Sequence, residues 1–170
     1  LYRKLKEVQT LSFSYEVKEE LSRISSESCC QKAELSALIR MAGTIRIVGG
    51  QSGVFLQIQT VHAPTARKIF KLLKKHFHSP TQIAVKRNNF LRDRSMYMIL
   101  LNLREAQALL AELGILAKGE GNITLQKGIN SKLLKSPCCK KAYLRGAFLG
   151  GGSISNPKGP YHMEFVTSDK

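Results

Sequence analysis

Four cysteines stand as two adjacent pairs, Cys29-Cys30 and Cys138-Cys139. Thiolates bind soft metals and close disulfides. Neither pair has the C-x2-C spacing of a zinc site, so the expectation is reduced, buried thiols with no metal and no cofactor. The four histidines are scattered: His62 opens a predicted helix, His76 and His78 flank its basic end, and His162 falls in a predicted strand. None has a nucleophile beside it in a recognisable pattern, so they read as solvated or ordinary core residues. The polar residues whose chemistry is clearest are cations and carboxamides: Arg46, Gln57, Gln59, Gln82, Lys86, Arg87, Asn88, Arg92 and Arg94. Guanidinium and ammonium groups neutralise phosphates and displace counterions. Carboxamides can read adenine edges.

The charge balance agrees with that chemistry. Among 170 residues, 27 are Lys or Arg and 12 are Asp or Glu, a net charge of +15. A polyanionic partner follows, nucleic acid first and an acidic membrane surface second, ahead of an ordinary neutral metabolic enzyme. An apolar content of 43% excludes a disordered basic tail. No apolar run of about 18 residues exists, so no bilayer span and no membrane partner are expected. Residues Leu1 to Thr10 alternate charge with Leu and lack the apolar region of a secretory signal. A cytoplasmic setting with reduced thiols is expected, and the lack of an initiator Met reads as a start inside a longer protein.

The elements that carry these residues are repeated. Cys29-Cys-Gln-Lys-Ala-Glu-Leu35 aligns with Cys138-Cys-Lys-Lys-Ala-Tyr-Leu144, and the match runs on through Gly43/Gly152, Thr44/Ser153 and Ile45/Ile154. Each copy predicts a helix with a mostly small stripe at every fourth position: Ala33, Ala37 and Met41 share one face in the first, and Ala142, Gly146 and Gly150 occupy the equivalent face in the second. Such stripes let two helix backbones approach closely, so these six residues are the expected helix-pair interface. Glycine inside a helix costs about 1 kcal/mol and needs a packing reason. Gly43 and Gly152 are expected to end the two helices.

Between the copies, alternation predicts two hairpins and two helices. Thr44 to Val48 and Val54 to Thr60 form the first hairpin, with Val54, Leu56 and Ile58 inward. Pro64 to Phe77 is a basic helix with Ala66, Ile69, Phe70, Leu73 and Phe77 on its buried stripe. In the second hairpin Ile83 and Val85 point inward, Gln82, Lys86 and Asn88 point outward, and Tyr97 to Leu101 returns as the more buried strand. Asn102 caps a helix that Gly114 ends. Before the repeat, Ser14 caps a helix running from Tyr15 to about Ile24. A further strand is expected from Tyr161 to about Thr167.

This α-β-β-α-β-β-α unit resembles the LAGLIDADG homing endonucleases, with the motif at Leu35-Ser-Ala-Leu-Ile-Arg-Met-Ala-Gly-Thr44 and Leu144-Arg-Gly-Ala-Phe-Leu-Gly-Gly-Gly-Ser153. The resemblance sharpens to the WhiA family of bacterial sporulation and cell-division regulators at Ser12-Phe-Ser-Tyr-Glu-Val-Lys-Glu-Glu-Leu21, at Cys29 to Leu35, at Cys138 to Leu149 and at Tyr161-His-Met-Glu164. It implies an α+β, duplicated endonuclease-like fold whose second repeat is truncated. The expected division is an N-terminal extension at 1–13, a first repeat with its preceding helix at 14–116, a linker at 117–136, and the start of a second repeat at 137–170. A C-terminal helix-turn-helix domain, expected from the family, is absent from this chain.

In the nucleases a carboxylate at the eighth motif position of each half holds divalent metal. Here those positions are Ala42 and Gly151, and neither can ligate Mg2+. Glu34 and Glu164 are poorly placed as replacements. The resemblance therefore implies a catalytically inactive, nucleoid-associated regulator of sporulation, cell division and chromosome segregation that binds double-stranded DNA across the polar face of its sheet. Two alternatives stand beside it. One is a docking module for a sigma factor, RNA polymerase or its own helix-turn-helix domain, using the basic helix from Pro64 to Phe77. The other is a divergent active nuclease.

Overall fold

The computed structural model describes residues 12–48, 53–77, 82–88, 94–118 and 123–167. Helix α1, Phe13–Arg23, is capped by Ser12, whose Oγ accepts from the Tyr15 amide at 3.2 Å. Ser14, the expected cap, has another partner: its Oγ accepts the Ile154 amide at 3.3 Å, tying α1 to the far end of the chain. The first repeat then runs α2 (Ser28–Ala42), β1 (Gly43–Val48), β2 (Gly53–Thr60), α3 (Ala63–Phe77), β3 (Gln82–Asn88), β4 (Arg94–Leu101) and α4 (Leu103–Glu112). That is the predicted order.

The four strands form one antiparallel sheet in the order β1-β2-β4-β3. Val54, Leu56, Ile58, Ile99 and Leu101 are buried on one face, against Leu35, Leu38 and Ile39 of α2, Ile69, Leu72 and Leu73 of α3, and Leu109 and Leu110 of α4. Each such side chain contributes about 1.5–3 kcal/mol when fully buried. On α3, Ala66, Ile69 and Leu73 are buried as the stripe requires, while Phe70 and Phe77 stay half-buried. Ile83 and Val85 differ from expectation. Their register opposite Ile99 and Tyr97 puts them on the helix side of the sheet, yet they are 44% and 57% exposed. They lie on the edge strand, and α3 and α4 pack over β2 and β4 instead.

The segment expected as a linker is partly folded. β5 (Leu116–Lys118) pairs with β6 (Ile123–Leu125), and a 3-10 turn covers Ser131–Leu134. Gly114, at φ +65°, makes the turn out of α4 as expected. This crossing brings the chain to α5, Pro137–Gly151, alongside α2. β7 (Gly152–Ile154) and β8 (Met163–Phe165) then pair, a shorter strand than the one expected from Tyr161. The second hairpin copies the first: Ser153 faces Glu164 as Thr44 faces Gln57, and Ile154 faces Met163 as Ile45 faces Leu56.

The helix pair is the centre of this arrangement. Both N-termini lie together, with Cys30 Sγ 3.9 Å from Cys139 Sγ, and both C-termini lie together, with Met41 against Gly150 and Gly151. Ala33, Ala37 and Ala142 are fully or almost fully buried between the helices. A Cβ at Gly146 would strike the Glu34 carbonyl oxygen and come within 3.0 Å of the Ala37 methyl, and one at Gly150 would sit 2.7 Å from the Met41 Cβ. The six expected interface residues lie along this contact, and at 146 glycine is required by the Glu34 main chain. Gly43 and Gly152 end their helices as expected, and both are extended, at φ −93° and −84°. A Cβ there would hit the Ile39 carbonyl and the Phe148 side chain, because the chain leaves each helix directly into a strand.

His62 is a helix cap. Its Nδ1 accepts the Thr65 amide at 3.2 Å, and its ring lies edge-on to Tyr15 at 4.4 Å. Burial, and then the nearby Lys18 charge, hold its pKa below the ordinary histidine value; burial and then Lys32 do the same for His76.

Two outcomes follow. Gly146→Val is expected to destabilise the chain by about 3 kcal/mol in urea unfolding, because α2 and α5 must separate. Histidines depressed in the folded state bind fewer protons than in the unfolded chain, so stability falls as pH drops below about 6.5. His62→Asn retains a capping oxygen and removes that titration. It is expected to flatten the fall in Tm between about pH 7 and 5.

Candidate nucleic-acid interface

The register of the sheet decides which polar residues share a face. Arg46 pairs with Phe55, Thr44 with Gln57, Gln57 and Gln82 with Leu100, Gln59 with Met98, and Lys86 with Met96. Paired residues lie on the same side of an antiparallel sheet. Arg46, Gln57, Gln59, Gln82 and Lys86 therefore share the face opposite the core, and Arg46, Gln59, Gln82 and Lys86 are exposed on it. Asn88 and Arg94 pair with one another at the same register parity. Arg87 is paired with Ser95, at the alternate register parity. Arg92 lies outside the described residues, as does His78.

The face is less uniformly polar than its predicted members. β4 contributes Met96, Met98 and Leu100, all half-buried, and Phe55 beside them is 44% exposed. Gln57 Nε2 rests 3.7 Å from Met98 Sδ. The cations and carboxamides flank an apolar centre. The sequence concealed this because Met96 to Leu101 is apolar on both faces, which erases the period-two signal.

At the C-terminal end of the helix pair stand Ala42 and Gly151. The space a side chain would need at 151 is filled by the Val166 carbonyl oxygen and by the Met41 methyl, 2.8 Å from the ideal Cβ position. The position has no room for a carboxylate. Glu164 lies on β8, where its carboxylate accepts from Ser153 Oγ at 3.0 Å and approaches His162 at 3.4 Å. Those contacts, Ser153 first, hold its pKa below the usual range.

Glu34 is fully buried and engaged elsewhere. Arg145 of α5 grips it with two nitrogens, Nε to Oε1 at 3.0 Å and Nη2 to Oε2 at 2.7 Å, and Lys68 of α3 lies 2.9 Å from Oε1. Lys68 also donates to the Ile24 carbonyl at 2.8 Å, and Arg145 to Ser26 Oγ at 3.3 Å. One carboxylate thus fastens three helices and the α1–α2 connection. Desolvation lowers the Lys68 pKa, and Glu34 opposes it; the Glu34 contact raises that of Arg145. Neither Lys68 nor Arg145 stands out along the sequence as a site residue. The signal available was a charge at a buried helical phase in α3, with no partner identifiable along the chain. Above the network a groove of about 550 Å³ opens between the α1–α2 connection and α3, edged by Arg67, Lys71 and Lys75. This is the basic helix face expected as an alternative docking surface.

Fold and tip together define a LAGLIDADG-like domain with two motif helices. Comparison with known families agrees: residues 28–116 match the WhiA N-terminal LAGLIDADG-like domain, and residues 140–170 match the WhiA LAGLIDADG-like domain. The chain belongs to the WhiA family. It is 41% identical over 162 residues to the probable cell division protein WhiA of Alkaliphilus metalliredigens, covering 94% of this chain and 51% of that protein. It is 46% identical to that of Heliobacterium modesticaldum, covering 94% and 50%. The chain thus spans about half the length of the curated relatives it matches. The crystal structure of the N-terminal LAGLIDADG domain of DUF199/WhiA superposes with a TM-score of 0.63 at 20% identity, over 92% of this chain and 66% of that one. The full-length DUF199/WhiA structure from Thermatoga maritima gives 0.62 at 20% identity, over 94% and 46%. Among the described residues no helix is long and apolar enough to cross a membrane.

Removing the central carboxylate tests the network. Glu34→Gln leaves two buried cations without a counter-charge and is expected to cost about 3–5 kcal/mol in chemical unfolding. Adding Lys68→Met to it is expected to restore part of that loss, since one uncompensated charge is gone.

Proposed function

We propose that this chain is the DNA-contacting, non-cleaving part of a WhiA-type regulator of sporulation, cell division and chromosome segregation, acting in the cytoplasm on the nucleoid. The observation that carries the reading is the common sheet face of Arg46, Gln57, Gln59, Gln82 and Lys86 in a chain of net charge +15. Cations on a twisted antiparallel ribbon can follow the phosphates of a groove, and carboxamides between them can meet base edges. Binding is non-covalent. Hydrolysis of a phosphodiester by this fold needs oxygen ligands for a hard cation, and positions 42 and 151 hold a methyl group and a hydrogen. Promoter choice rests with the helix-turn-helix domain expected of the family.

A second reading is favoured by one observation, the apolar strip of Phe55, Met96, Met98 and Leu100 through the middle of that face. Such a strip suits a protein surface, so a sigma factor or RNA polymerase is the alternative occupant.

Salt separates the two. DNA binding through about five phosphates gives log K falling with log salt at a slope of about −4.5, and Arg46→Ala with Lys86→Ala is expected to lessen it by about 2. The measurement is fluorescence anisotropy of a labelled random duplex between 50 and 200 mM salt. A supercoiled plasmid in the same mixture with Mg2+ or Mn2+ is expected to stay intact. A salt-insensitive or absent shift moves the assignment to protein docking. Metal-dependent nicking that comigrates with the chain overturns the non-cleaving reading.

A further inference from the structure

The cysteine pairs gain a relationship in the fold that they lack along the chain. Cys29 and Cys30 lie in the first turn of α2, and Cys138 and Cys139 in the first turn of α5. Because α2 and α5 lie parallel, the two pairs meet at one end of the helix pair. Cys30 and Cys139, each 4% exposed, face one another with Sγ atoms 3.9 Å apart. Cys29 joins them, the three sulfur atoms all lying within 4.8 Å of one another. Cys138 precedes Cys139 in the same turn of α5 and its thiol interacts with that of Cys30, so the fourth sulfur borders the group of three. The expectation of four buried thiols is corrected here: Cys29 and Cys138 are exposed, and only Cys30 and Cys139 are buried.

The spacing distinguishes the uses of such a cluster. A disulfide needs about 2.05 Å between sulfur atoms. Thiolates on a tetrahedral zinc ion, with Zn–S near 2.3 Å, stand about 3.8 Å apart. The 3.9 Å separation of Cys30 and Cys139 suits the second. Among the described residues this is the one group of three or more Cys, His, Asp or Glu ligand atoms gathered closely enough to share an ion, and its donors are all sulfur. An all-thiolate set selects a soft or borderline ion and rejects Mg2+. Ala33, Ala142 and the half-buried Leu133 pack around the two buried cysteines and close the inner side, while Cys29 and Cys138 leave the outer side open for entry. Both helices direct their positive ends at the group, while burial pushes the Cys30 thiol up to about 12 and raises that of Cys139, so without an ion the buried pair keeps its protons.

We infer that Cys29, Cys30, Cys138 and Cys139 form a zinc site that clasps the two repeats at the start of their paired helices. The site lies a helix length, roughly 20 Å, from the tip where the nuclease family holds its metal. Its role is structural: the ion is shared between residues 109 positions apart and fixes the register in which the twin helices meet.

The test is a cobalt titration of the reduced, metal-free 170-residue chain. The expected result is one equivalent of Co2+ giving the near-ultraviolet charge-transfer band and visible d–d bands of a tetrahedral thiolate site, bleached by one equivalent of Zn2+. Cys29→Ser with Cys138→Ser replaces the two exposed positions and leaves the buried contacts intact. It is expected to reduce the charge-transfer intensity by about half, in proportion to thiolates lost. Zn2+ is expected to raise the Tm of the unsubstituted chain and to leave that of the Cys30→Ser, Cys139→Ser chain unchanged. No cobalt bands from a chain with four titratable thiols overturns the site, as do bands that the Cys29 and Cys138 substitutions leave at full intensity.

Discussion

The close approach of α2 and α5 is the constraint on which the rest depends. Two helices can bring their backbones together only where side chains are small. Here the contact runs through Ala33, Ala37, Ala142, Gly146 and Gly150. The contact is tight enough that a single added Cβ at 146 meets a main-chain carbonyl. It sets the two repeats side by side, places both cysteine pairs at one end, and places both motif glycines at the other. The sheet of the first repeat and the short hairpin of the second hang from the helix ends at Gly43 and Gly152.

A close apolar seam alone leaves sliding and rotation weakly determined. The Glu34 network supplies direction. Arg145 binds both carboxylate oxygens from α5, and Lys68 approaches from α3. Burying three charges carries a desolvation cost that their attraction and hydrogen bonds must offset, so such a cluster is weak evidence for added stability. Its geometric requirement is strict: the carboxylate is satisfied only when α2, α3, α5 and the α1–α2 connection all sit in one arrangement. Glu34, poorly placed as a replacement for the nuclease carboxylates, is consumed in holding the fold.

The two ends of the helix pair now carry different chemistry. The C-terminal end, where the nuclease family keeps its carboxylates, is filled by Val166 main chain and a methionine methyl. The outer sheet face keeps cations and carboxamides around an apolar strip. A surface of that composition is suited to a groove contact at its flanks and to a packed contact at its centre. The distinction between these uses is energetic, since phosphate binding is screened by salt and apolar packing is not.

Much of the architecture was legible along the chain. The order of elements followed from periodicity, and the helix interface from small residues at every fourth position. The core strand β2 followed from its strict alternation. The common face of Arg46, Gln57, Gln59, Gln82 and Lys86 was also readable, because side-chain parity is local to each strand. What depends on pairing was not. Register brought Met96, Met98 and Leu100 among them. The edge position of β3 left Ile83 and Val85 uncovered. Glu34 with Lys68 and Arg145, and Cys29-Cys30 with Cys138-Cys139, are separated by tens of residues or more. Charge attraction and metal-ligand spacing act through space, over a few ångströms, and a linear pattern carries no record of which distant residues those few ångströms will join.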